Sequence, residues 1–148
     1  MGLDAEHRRL VAFPILLPGL IQRLPDPARA LADLRSGEAA WRRADLPLLA
    51  NGARALGLAT TGGQVQLRLA SATHELYWQD YDPGDRRSDE TWSGYADRSW
   101  KELLFLTGTL PPDQVIIDGA RRLWPWLKIA DEEARAAMWF VVYLAAET

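Results

Sequence analysis

The feature that most constrains this fold is a change of period at Gly57. Before it, apolar residues recur at helical spacing. After it, Gln64-Val65-Gln66-Leu67-Arg68-Leu69 alternates strictly, which puts Val65, Leu67 and Leu69 on one face of a strand. Residues 58–61 form a second strand-like run. The Gly62-Gly63 link between the two predicts a two-residue hairpin, because glycine reaches positive φ without a steric penalty. A third strand is expected over residues 74–81, with Leu76 and Trp78 facing inward. The expected sheet is therefore a small three-stranded antiparallel meander, covering about residues 57–81.

Helix signals surround it. Residues 5–24 read as two short pieces divided at Phe13-Pro14, since the residue before a proline is pushed out of the α region. Asp26-Pro27 reads as a helix start, with the helix running to about Arg35 and ending at Ser36-Gly37. Asp45-Leu46-Pro47 repeats that signal and places Leu46, Leu49, Ala53 and Leu56 on one face. Residues 82–96, with Pro83-Gly84 and many polar side chains, read as a loop of unusual length. Ser99-Trp100-Lys101-Glu102 has the form of a capping box, opening a helix with Trp100, Leu103, Leu104 and Thr107 on one face and a stop at Gly108. Pro111-Pro112-Asp113 starts another helix, through Ile116, Ala120 and Leu123 to a break at Pro125. Asp131-Glu132-Glu133 begins the last, whose apolar character all round from Ala136 to Ala146 marks it as the central buried helix. In particular, Trp139, Val142 and Leu144 are expected inside. The fold class is α+β, with several helices packed around this C-terminal helix. No repeat, low-complexity tract or linker divides the chain, so residues 1–148 read as one globular domain.

Cysteine is absent, which removes disulfides, zinc–thiolate sites, iron–sulfur clusters and thiol nucleophiles together and favours a cytoplasmic setting. Fifteen arginines against two lysines read as the signature of a GC-rich bacterial genome. The net charge of −3 is uneven: the first 70 residues hold nine basic and six acidic side chains, the remainder eight and fourteen. The small basic excess of the first 70 residues is spread over several expected helices, so the chain is not expected to bind nucleic acid. Arg8-Arg9 ahead of the apolar run 10–21 outlines a secretory signal, but Pro14 and Pro18 interrupt the run and Asp4 and Glu6 precede it. The run is also too short to span a bilayer, so it reads as core, and no membrane association is expected.

Motifs for chemistry are weak. From Asp80, the sixth residue of a calcium loop would be Asp85 and the twelfth Thr91, where glycine and glutamate are needed. His7 and His74 are the two histidines. Glu75 would point away from His74 on a strand, and Asp80 would lie about 20 Å along it, so neither orients His74 for catalysis. There is no Gly-Lys-Ser/Thr for a phosphate loop and no Rossmann glycine spacing. No catalytic residue, metal ligand or cofactor is expected. Trp124-Pro125-Trp126 is the best candidate for stacking against a carbohydrate, its alternative role being to staple the last two helices together.

The most informative segment is 75–102. It combines Tyr77, Trp78, Tyr81, Trp92, Tyr95 and Trp100 with eight of the chain's twenty acids. Aromatics supply contact area and acids steer a basic partner, so the expected site is a protein-binding loop of Asp82, Asp85, Asp89, Glu90, Trp92 and Tyr95. The expected function is a protein-binding or inhibitory module, one form being a bacterial toxin-neutralising immunity-type protein. The alternatives are an accessory subunit of a larger bacterial assembly and a small hydrolase using carboxylates of residues 75–97.

Overall fold

The computed structural model describes residues 19–148. The expected kink at Phe13-Pro14, most of the apolar run and His7 lie outside them. In chain order the elements are α1 (Gly19–Arg23), β1 (Asp33–Arg35), β2 (Glu38–Trp41), a 3-10 turn (Arg43–Asp45), α2 (Leu46–Ala55), β3 (Ala59–Arg68), β4 (Thr73–Tyr81), α3 (Trp92–Thr109), α4 (Asp113–Leu123), α5 (Asp131–Ala137), β5 (Met138–Val141) and β6 (Tyr143–Ala145). The class is α+β. The sheet has six strands rather than three, ordered β1-β2-β5-β3-β4, with β6 also paired to β3. Every pairing is antiparallel.

Of the extra strands, β1 falls in the helix expected to run to Arg35, β5 and β6 fall in the expected C-terminal helix, and β2 falls between two expected helices. Asp33–Arg35 pairs with Glu38–Trp41 across a two-residue turn at Ser36 (φ 52°) and Gly37 (φ 79°). Positive φ at both turn positions matches the right-handed twist of a hairpin, so Ser36-Gly37 turns a strand instead of ending a helix. The C-terminal apolar run leaves α5 at Met138 and becomes β5 and β6, not a central helix. β5 lies between β2 and β3, and a strand buried on both faces reads as a continuous apolar run that periodicity cannot tell from a buried helix. Val142 and Leu144 are buried, whereas Trp139 is half-buried, with the Arg42 guanidinium 3.6 Å above its ring.

Gly62 and Gly63 also serve another purpose than expected. The chain does not turn there but continues as one strand, β3. A Cβ on Gly63 would stand 1.8 Å from the Val141 carbonyl oxygen, and one on Gly62 would stand 2.1 Å from that of Tyr81. Glycine is required because neighbouring backbone passes too close for any side chain.

Cross-strand register gives the sheet two unlike faces. Val65 sits opposite Leu76 and Phe140, and Leu67 opposite Met138. This face shares one core with Leu49 and Ala53 of α2, Trp100 and Leu103 of α3, and Ile116 and Ala120 of α4. Trp41 and Trp100 are wholly buried, and their indole N–H groups donate to the carbonyls of Ala28 and Leu58 at 2.8 Å each. The other face carries Gln66 opposite Glu75 and Trp139. There the buried Arg68 donates to Gln66, to the Asp33 carbonyl and carboxylate, and to the Glu38 carbonyl, while Tyr143 donates to the Glu38 carboxylate at 2.5 Å. These groups satisfy one another, which is what allows polar side chains to be buried. Burial, and next the hydrogen bond to Glu38, raises the Tyr143 hydroxyl above its ordinary pKa.

Candidate partner-binding surface

Helix α3 begins at Trp92, seven residues before the expected capping box. The Thr91 hydroxyl accepts from the Gly94 N–H and caps it. Ser99 is therefore mid-helix and buried, where its hydroxyl accepts from the Thr60 N–H and donates to the Ala96 carbonyl, tying α3 to β3. The connection left between β4 and α3 is residues 82–91.

Arg98 organises that connection. Its guanidinium donates to both Glu90 carboxylate oxygens (2.6 and 2.8 Å), to the carbonyls of Pro83 and Asp85 (3.0 Å each) and to Glu102 (3.1 Å). The Glu90 carboxylate also accepts from the Arg87 N–H at 2.8 Å, and these bonds hold its pKa down at about 2, Arg98 contributing most. Asp82 accepts from the Gly84 N–H at 2.7 Å, closing the first turn.

The six residues expected to form the site thus divide. Asp82, Asp85 and Asp89 are exposed. Glu90 is committed to Arg98. Tyr95 is 5% exposed, packed with Ala59, Ala96 and Ala145. Burial, followed by the nearby Asp85, raises its hydroxyl pKa. Trp92 is half-buried, its indole N–H donating to the Gly57 carbonyl at 2.7 Å, with Arg86 5.7 Å above its ring. It lines an open groove of about 370 Å³ with Arg54, Gly57 and Asp97, and Arg54 pairs with Asp97 across it.

A second aromatic group lies on β4, an edge strand of the sheet. Val65 pairs with Leu76, but the next residue back on β3, Gln64, pairs with Asp80. Residues 77–79 are therefore extra on β4 and bulge from the ladder. Bulges re-aim side chains and spoil an edge for unwanted strand pairing. Here Tyr77 is raised to 72% exposure, its ring edge-on to Trp78 at 5.2 Å. Trp78 meets Trp124 at 5.3 Å, and Trp124 stacks on Trp126 at 5.7 Å and 22°. His74 lies 5.6 Å from Trp124 and 4.8 Å from Trp126. Trp126 is 55% exposed. The Trp124-Pro125-Trp126 pair thus joins the end of α4 to β4, forming an aromatic ledge. Periodicity gave no sign of this: the bulge that presents Tyr77 exists only in the pairing of β3 with β4.

Among the described residues, no group of three or more His, Asp or Glu side chains is placed to hold a metal ion, and no helix is long and apolar enough to cross a membrane. No protein-family model, curated protein or solved structure matches the chain.

Proposed function

We propose that this chain is a protein-binding module that acts by non-covalent masking of another protein, with a toxin-neutralising, immunity-type inhibitor as its specific form. The observation that carries the reading is the ledge, above all Tyr77 and Trp126, large aromatic side chains left exposed beside a bulged edge strand. Exposed aromatics of this kind supply most of the energy at protein interfaces. The acidic loop supports the same reading. Asp82, Asp85 and Asp89 face solvent on a segment already held in shape by Arg98, so little conformational freedom would be lost on binding.

The test is affinity capture from the native source, confirmed reciprocally with the purified partner and followed by binding kinetics. A Tyr77→Ala, Trp126→Ala double variant is expected to dissociate more than about tenfold faster, as loss of one interface hot spot would produce. Its denaturation midpoint should stay close to that of the parent, because both side chains are largely exposed. An unchanged dissociation rate, or the lack of any reciprocally confirmed partner, would overturn the reading.

A further inference from the structure

Among the described residues, four aromatic rings carry a guanidinium from within the chain: Trp139 under Arg42, Phe140 under Arg43, Trp92 under Arg86 and Tyr95 under Arg98. None lies over Tyr77, Trp78, Trp124 or Trp126. Of the seven indole N–H groups, those of Trp41, Trp92 and Trp100 donate to backbone carbonyls, while those of Trp139 and the three ledge tryptophans donate to no group among the described residues. The ledge is thus a partly exposed group of four aromatics that carries no guanidinium from within the described residues and keeps its indole donors unpaired there.

Its electrostatics choose the complement. Glu75 and Asp80 flank Tyr77 along β4, both are exposed, and their cross-strand partners Gln66 and Gln64 put them on the same face of the sheet. Glu75 is only loosely engaged, accepting from Gln66 at 3.4 Å. Exposed Arg122 and Lys128 stand two residues from Trp124 and Trp126 in the chain, whereas no cation stands within two residues of Tyr77, so added positive charge belongs at the Tyr77 end.

We infer that Tyr77, with Glu75 and Asp80 on either side, receives an arginine side chain from a basic segment of the partner, while Trp78, Trp124 and Trp126 form the apolar floor beside it. This rests on the protein-binding reading and adds the chemistry of the anchor. Guanidinium is the favoured head group because it is planar and weakly hydrated, so it stacks on a ring while its edge donates to carboxylates.

The probe is a short peptide of alternating glycine and arginine, compared with its lysine and citrulline counterparts, titrated into the full chain and followed by nuclear magnetic resonance. Citrulline keeps the shape of arginine and removes the charge. The arginine peptide is expected to shift the Tyr77 ring and the indole signals of Trp78, Trp124 and Trp126 saturably, leaving those of Trp41 and Trp100 in place. The lysine peptide should bind about two- to fivefold more weakly, and the citrulline peptide should produce no saturable shift. A Glu75→Gln, Asp80→Asn double variant should lose most of the binding to the arginine peptide. If citrulline shifts the ledge as arginine does, or if the arginine peptide moves only the Trp92 signal, the inference fails. A captured protein partner together with an unmoved ledge would overturn the arginine anchor and leave the protein-binding reading intact. Saturable arginine binding without any captured partner would support the anchor chemistry and overturn the wider reading.

Discussion

Arg98 shows how one side chain can set the shape of a loop. It donates to two carbonyls of the 82–91 connection and to both oxygens of Glu90, so the loop is folded back on α3 rather than projecting from it. The Glu90 carboxyl, held at about 2 by Arg98 and then by the Arg87 N–H, makes this staple pH-sensitive. The folded pKa is depressed, so the stabilisation is complete above the ordinary glutamate value of 4.5 and is lost as pH falls from there through about 2. A carboxyl titration should therefore find Glu90 midway near 2, with amide-exchange protection of residues 83–90 falling over the same window. Arg98→Ala should return Glu90 towards its ordinary range and remove that protection at neutral pH. A Glu90 that titrates at its ordinary value in the parent chain would mean the staple is not formed in solution.

At the scale of elements, β3 is the strand on which the sheet is assembled, pairing with β4 along one edge and with β5 and β6 along the other. Gly62 and Gly63 admit that crowding. Gly63→Ala would place a methyl group 1.8 Å from a carbonyl oxygen of β5, and the obstruction is backbone, which cannot rotate aside. The expected cost is more than about 2 kcal/mol in chemical denaturation, as for other substitutions that force strain into a packed core. Gly37→Ala makes the contrast: it has open space for the methyl and only the positive φ against it, so it should cost about 1 kcal/mol. Equal costs at the two positions would show that β5 does not approach β3 as described. The capping-box pattern at Ser99 illustrates the same influence of neighbours. A serine followed three residues later by glutamate is a sound local start signal, yet Thr91 caps the helix and Ser99 is needed inside it to bond Thr60.

Over the whole molecule, charge and aromatic surface divide the work of binding. A net charge of −3 with exposed Asp82, Asp85 and Asp89 near one edge of the sheet favours fast encounter with a basic protein, whereas desolvated ring contacts govern how long a complex lasts. Once a partner is in hand, Asp89→Lys should slow association at low ionic strength and converge on the parent rate at high salt, with little change in dissociation. Asp82 is left in place because it accepts from the Gly84 N–H. Glu90 is unsuited to this test because its reversal would break the Arg98 staple. Association that is insensitive to both salt and the reversal would place the contact surface away from the acidic loop.

Local chemistry by itself determined the mixed α and β character, the amphipathic helices α2 and α4, the position of β4, and the gathering of acids and aromatics between residues 75 and 102. Each is written in nearest-neighbour terms: a period of 2 or 3.6, a proline at a helix start, a cluster of one residue type. Tertiary structure decided the rest. The run from Met138 to Ala145 is apolar enough for a buried helix or a buried strand, and only the free edges of β2 and β3 make it a strand. Whether an aromatic is core or surface was decided in the same way. Tyr95 lies against β3 and β6 while Tyr77 is lifted out by a bulge, because exposure depends on which backbone a residue is registered against, and that partner is distant in sequence.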